Sequence, residues 1–130
     1  AVELKKYFSD CKFGLGSVLS KEDLIKGQDH NFNFYVSPGI IEEILEMKNP
    51  FYIPGAETVS EFIHISKKGY EIIKFFPANL NGEDKKLQSI ENIIRNIKFI
   101  PTGGVNKDNI NKYLDLKNVL CVGTSHFEEF

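Results

Sequence analysis

The chain has 130 residues, 42% of them hydrophobic and 26% charged, with a formal net charge of −2, the size and balance of one globular domain. No run approaches the ~18 apolar residues that cross a bilayer, and no charged segment followed by an apolar one opens the sequence, so a membrane span and a signal peptide are not expected and a cytoplasmic location is. Sixteen basic residues stand against 18 acidic ones without a block of one sign, which excludes the electrostatic footprint of nucleic acid or anionic lipid.

The chain opens in a helical pattern (Val2, Leu4, Tyr7, Phe8) and reaches its first β-type run at residues 12–18. Ser20 before Lys21-Glu22-Asp23-Leu24 predicts a helix N-cap. A second run covers 32–39 and ends in Ser37-Pro38-Gly39. It is followed by a helical stripe of Ile40, Ile41, Ile44 and Leu45, with Glu42, Glu43 and Glu46 on the wet side. The third run, 51–55, ends in Pro54-Gly55, and the fourth, 71–77, ends in Pro77. Leu87, Ile90, Ile93 and Ile94 then repeat the helical stripe. A fifth run at 98–104 closes in Gly103-Gly104, Asn106 is placed to cap the helix after it, and a sixth run covers 119–125.

Strands that alternate with helices at this spacing imply a parallel sheet joined by crossover helices. A dinucleotide fold would place G-x-G-x-x-G after the first strand, but Gly14-Leu15-Gly16 lacks the third glycine. Every run instead ends in a small or polar residue, which suits a ring of βα loops on one face of a (β/α)8 barrel. Such a barrel takes ~200 residues or more and eight strands. A single domain over residues 1–130 is therefore expected, an incomplete (β/α)8 TIM barrel of about six strands.

Cys11 and Cys121 are too few for a disulfide scaffold; Cys121, inside Val119-Leu120-Cys121-Val122, reads as a small buried hydrophobe. His30, His64 and His126 are scattered singly, so no metal site is expected. Lys74 is the residue that demands an explanation. Alternation puts Ile72, Lys74 and Phe76 on one face of a strand and Ile73 and Phe75 on the other, with apolar neighbours on both sides. Desolvation lowers an ammonium's pKa, and bringing it down to about 7.4 would cost roughly 4 kcal/mol, large against a net stability of ~5–15 kcal/mol. A snorkelling stem or a carboxylate partner would avoid that cost. A neutral amine in an apolar pocket, by contrast, is a nucleophile for carbonyl carbon. The position near the carboxyl end of a barrel strand favours the second reading. Gly103-Gly104 and Gly123-Thr124-Ser125 form a second constellation: paired glycines let backbone N–H groups approach an anion, and a barrel commonly places phosphate at its last two strand ends.

Six short motifs, in order, carry a resemblance. Gly14-Leu15-Gly16-Ser17-Val18, Ser37-Pro38-Gly39, Ile53-Pro54-Gly55 with Thr58-Val59-Ser60-Glu61, Lys74-Phe75-Phe76-Pro77-Ala78, Pro101-Thr102-Gly103-Gly104-Val105 and Gly123-Thr124-Ser125 resemble the motif series of the 2-keto-3-deoxy-6-phosphogluconate aldolase / 4-hydroxy-2-oxoglutarate aldolase family. The resemblance covers nearly the whole chain. It implies a class I aldolase, a carbon–carbon lyase on a (β/α)8 barrel, usually a homotrimer, acting on a keto-acid or phosphosugar-acid substrate without a metal or other cofactor. Lys74 resembles the Schiff-base lysine. Ser17, Pro38, Phe76 and Thr102 correspond to substrate-binding positions, and Gly103, Gly104, Gly123 and Ser125 to phosphate contacts.

The departures are specific. Set against the family, the resemblance implies that the first two strands and the last helix of the barrel are missing; the family's glutamate base and carboxylate-gripping arginine lie on a strand that has no counterpart here, which leaves Glu57 as the nearby candidate base. Gly-Leu-Gly-Ser replaces Gly-Ala-Gly-Thr, and Gly123-Thr124-Ser125-His126 replaces Gly-Gly-Ser-Trp, putting a β-branched residue in the phosphate loop at an expected cost in anion binding. The expected reaction is cleavage of a 2-keto-4-hydroxy acid to pyruvate and an aldehyde, glyceraldehyde 3-phosphate or glyoxylate, through a lysine imine. Two alternatives remain open: another phosphate-binding barrel isomerase or synthase without imine chemistry, and an inactive scaffold copy.

Overall fold

The computed structural model describes residues 3–130. Eleven elements follow in chain order: β1 (Gly14–Leu15), α1 (Lys21–Asp29), β2 (Phe34–Val36), α2 (Glu42–Glu46), β3 (Tyr52–Ile53), β4 (Gly55–Ala56), α3 (Val59–Lys67), β5 (Ile72–Phe75), α4 (Glu83–Ile90), β6 (Lys98–Pro101) and α5 (Ile110–Leu114). Every strand pairing is parallel, in two sheets ordered β1-β2-β3 and β4-β5-β6.

The two sheets meet inside one run. Tyr52 and Ile53 pair with Tyr35 and Val36 of β2, whereas Gly55 and Ala56 pair with Lys74 and Phe75 of β5. Pro54 between them has no N–H for a ladder, but its carbonyl accepts from the Lys74 N–H at 2.9 Å, so the run changes neighbours without losing that bond. The sixth predicted run pairs with β6 only through the bridges Phe99↔Val119 and Thr102↔Gly123. Four residue steps on one side of these bridges oppose three on the other, and the extra residue breaks the ladder as a bulge does. All six runs thus stand side by side in chain order.

Alternation gives the array two unlike faces. Tyr35, Tyr52, Ile73, Phe75 and Phe99 are buried in a core with Leu24, Ile44, Leu45, Phe62, Ile65, Leu87 and Tyr113 from the helices. The register places Phe34, Val36, Ile53, Ile72, Lys74 and Ile100 on the opposite face, where all six are half-buried. Phe62 of α3 is fully buried and meets the rings of Phe75 and Phe99 edge-on, at 6.1 and 4.8 Å between centroids. It ties α3 to β5, the strand that carries Lys74. Phe62→Ala is expected to cost about 3–5 kcal/mol, read as a shift of the urea midpoint.

The caps show why the helices begin where they do. Ser20 caps α1 as expected, its hydroxyl accepting from the Asp23 N–H at 3.1 Å while the Asp23 carboxylate accepts from the Leu19 N–H. That bond from Leu19 leads the causes that hold the Asp23 carboxyl below its usual range. Thr58 and Glu61 form a capping box at α3.

Five expectations are corrected. Asn106 does not cap α5; its side chain closes a turn by accepting from the Asp108 N–H, and the helix starts at Ile110 with Asn109 at the cap position. Ile40 and Ile41 precede α2 rather than belong to it. Ile93 is 72% exposed because α4 ends at Ile90, so the helical period that would have carried it inward stops short. Leu4, Tyr7 and Phe8 are exposed beside a single 3-10 turn (Leu4–Lys6), and Val2 lies outside the described residues. Cys121 is exposed, since the last run borders the array and no described strand pairs beyond it.

Candidate active site

A parallel array gathers the carboxyl ends of its strands on one rim, and the predicted site residues lie along that rim. Ser17 follows β1, Pro38 follows β2, Lys74 and Phe76 sit in and just after β5, and Thr102, Gly103 and Gly104 follow β6. Gly123 and Ser125 end the sixth run.

Lys74 occupies the middle of this row. Its register partners are Gly55 and Ile100. Gly55 has no side chain for a physical reason: a Cβ there would lie 2.3 Å from the Pro38 carbonyl carbon. The side chain is half-buried, less enclosed than a strand covered on both faces would make it. Its Nζ sits 4.5 Å from the centroid of the Phe76 ring. Among the described residues no carboxylate pairs with it. Desolvation by burial lowers its pKa from the ordinary 10.5.

Folded Lys74 holds its proton less tightly than unfolded Lys74, so it lowers stability fully below its lowered folded pKa, and the loss is recovered as pH rises through the window between that pKa and 10.5. The stability advantage of Lys74→Met over the unmodified chain is expected to be largest near neutral pH and to shrink toward pH 10.5. Urea titrations across that window check it; an advantage that does not change with pH contradicts a lowered pKa.

Thr102 and Gly123 are brought together by their bridge, and a Cβ on Gly123 would meet the Thr102 Oγ1 at 2.5 Å. The Thr102 hydroxyl donates to the Ile100 carbonyl at 3.2 Å. Gly103 and Gly104 have φ of +105° and +69°, a region that favours glycine. Against them packs the 3-10 turn Ala78–Leu80: a Cβ on Gly104 would come within 2.6 Å of the Asn79 Cβ. Asn79 was not singled out from the sequence; two adjacent glycines signal a close approach, but not what approaches.

At the other end of the rim, Ser17 is exposed with φ +54°, unusual for a residue with a side chain. Beside Pro38, Ser37 is fully buried, donating to the Val18 carbonyl at 2.6 Å and accepting from the Tyr52 hydroxyl at 2.8 Å. Burial pushes the Tyr52 hydroxyl up to about 12, so it stays a donor. This network, also missed from sequence, joins the loops after β1 and β2 to the core. Ser17 follows β1 and Lys74 lies in β5, with β2 and the 52–56 run between the two strands, so no strand pairing joins them.

Glu57 is half-buried just after β4. Its N–H donates to the Glu61 carboxylate at 3.0 Å and its carbonyl accepts from the Lys86 Nζ at 2.9 Å. A cavity of about 680 Å3 lies at the opposite end of the strands, among Lys12, Asn33, Lys48 and Glu71, and does not include Lys74. Among the described residues no three His, Cys, Asp or Glu side chains gather as a metal site, and no helix is long and apolar enough to cross a membrane.

Glycine loops at the carboxyl ends of the strands and a half-buried lysine in the central strand β5 define the class: a parallel α/β protein of crossover-helix type. The family model for KDPG and KHG aldolase matches residues 1–130. The KHG/KDPG aldolase of Escherichia coli is 39% identical over 125 residues, covering 94% of this chain and 59% of that protein. Among solved structures, KDPG aldolase from Legionella pneumophila, with pyruvate captured as a covalent carbinolamine, matches with a TM-score of 0.87 at 36% identity over 94% of this chain and 61% of that one. The Zymomonas mobilis ZM4 enzyme with 3-phosphoglycerate matches with a TM-score of 0.85 at 30% identity over 96% and 63%. The chain belongs to the KDPG and KHG aldolase family. It spans about three fifths of the length of the curated relatives it matches.

Proposed function

We propose that the protein carrying this chain is a class I aldolase that cleaves 2-keto-3-deoxy-6-phosphogluconate, 4-hydroxy-2-oxoglutarate or both, with Lys74 as the nucleophile. The observation that carries this reading is a half-buried amine, with no carboxylate partner among the described residues and with its pKa lowered by burial, at the centre of the carboxyl-end rim. The covalent pyruvate adduct named for the Legionella relative supports it.

In the proposed reaction the Lys74 Nζ lone pair attacks the C2 ketone, and the carbinolamine loses water to give an iminium. A base removes the C4 hydroxyl proton; the C3–C4 electron pair flows into the iminium as the bond breaks, leaving an enamine and releasing the aldehyde. Protonation at C3 and hydrolysis then return pyruvate and the free amine. Glu57 is the candidate base within the chain. Thr102, Ser17, Pro38 and Phe76 are assigned to the keto-acid end, and Gly103, Gly104, Gly123 and Ser125 to the phosphate. The scheme requires no metal or other cofactor.

The six-run array is read as part of a (β/α)8 barrel forming one unit over residues 1–130, in a homotrimer that works in the cytoplasm. The half-exposed apolar face of the array supports that reading, because a closed barrel packs the corresponding side chains inside. The test is pyruvate release from each substrate, followed by coupled NADH oxidation with lactate dehydrogenase. Release from at least one is expected; no release from either overturns the proposal.

A further inference from the structure

The residue that departs from the family pattern in the last loop has a defined place in the fold. The Thr124 hydroxyl donates to the Val105 carbonyl at 2.7 Å and accepts from the His126 N–H at 2.9 Å. One oxygen thus joins the loop after β6 to the loop that ends the sixth run. The β-branched side chain needs no left-handed backbone, since Thr124 is not among the residues with positive φ. Val105 is buried, which makes its carbonyl a fixed anchor.

The two loops so joined carry Gly103, Gly104, Gly123 and Ser125. The first is already held from its other side, where Asn79 packs against Gly104 and the Asn109 Nδ2 donates to the Gly104 carbonyl at 2.9 Å. Below Thr124, the second loop is held to β6 by the Thr102↔Gly123 bridge, with the Gly123 N–H donating to the Pro101 carbonyl at 2.8 Å. An anion bound by backbone N–H groups from two separate loops gains affinity when their relative position is set before it arrives.

We infer that Thr124 is a positioning residue: its hydroxyl latches the two glycine loops together and so sets affinity for a phosphate monoester, without itself touching the ligand. This rests on the phosphate site proposed above. It also changes the expectation for the Gly-to-Thr departure, since the added side chain supplies a tie that glycine lacks.

The experiment compares the unmodified chain with Thr124→Val, which keeps the shape and loses both hydrogen bonds, and with Thr124→Ser, which keeps the hydroxyl. Calorimetric binding of inorganic phosphate is measured beside borohydride trapping of pyruvate, a ligand without phosphate. Thr124→Val is expected to bind phosphate about tenfold more weakly, the size two hydrogen bonds convert to, while trapping pyruvate normally. Thr124→Ser is expected to stay within about twofold of the unmodified chain. If Thr124→Val fails to fold by circular dichroism, Thr124→Ala carries the same expectation. Equal phosphate binding by the valine and serine variants overturns the latch, as does parallel loss of phosphate binding and pyruvate trapping. An unmodified chain that traps pyruvate but binds no phosphate also overturns it and leaves the Lys74 reading standing. Failure of trapping in the unmodified chain counts instead against the proposed function.

Discussion

Lys74→Met is expected to abolish imine chemistry while leaving the fold intact, with a loss of cleavage of at least ~10^4-fold, the size seen when an enzyme's nucleophile is removed. Methionine matches the stem of lysine and is at home on the half-buried face between Ile72 and Phe76, so no cavity forms. The same variant is expected to be more stable at neutral pH, because burial penalises the Lys74 ammonium and no described carboxylate compensates it. Loss of activity with a gain in stability separates a functional lysine from a structural one. An isomerase or synthase using only the glycine loops would keep its activity in Lys74→Met. Pyruvate release assays and urea titrations on the same samples read both effects.

Gly55→Ala is expected to be the most damaging small substitution along the rim, costing about 3 kcal/mol or more. The added Cβ would lie 2.3 Å from the Pro38 carbonyl carbon and 2.5 Å from the Ser37 carbonyl oxygen, both backbone atoms that no rotamer change can move aside. Gly55 is also the register partner of Lys74, so relief of the clash would displace β4 against β5. Gly16→Ala and Gly39→Ala are the controls: a Cβ at either meets nothing within 4 Å among the described residues, and changes of less than about 0.5 kcal/mol are expected. Chemical denaturation of the three variants checks the contrast.

The pattern of apolar runs and turn residues is strong enough in this chain to show the layout. The six β-type runs, their parallel pairing in chain order and the face that Lys74 shares with Ile72 all follow from period-two alternation and the length of the intervening helices. Ser20 was legible because an N-cap is a local interaction. Asn106 misled because Asn109, three residues on, is an equally good capping type, and the pair closes a turn before the helix begins.

What failed to show in the sequence depends on contacts between distant residues. Pro54 marks the end of a run equally well whether the run keeps its neighbour or changes it. The extra residue that interrupts pairing between the sixth run and β6 leaves no local trace, and Cys121 looks like a core residue until the border of the array is known. At the site, Lys74 stood out because a charge inside Ile-Ile-Lys-Phe-Phe is a conflict visible in one dimension. Asn79, Ser37 and the Thr124 hydroxyl did not, since small polar residues beside glycines are ordinary loop composition until their partners are located.

The most direct test of Lys74 as the nucleophile is chemical. Pyruvate is added to the chain at neutral pH, the mixture is reduced with borohydride, and the peptides are mapped by mass. One reduced pyruvyl adduct is expected, on the peptide that contains Lys74, and none when borohydride is added without pyruvate. An unmodified Lys74 peptide, or adducts spread over the exposed lysines in its place, would contradict it.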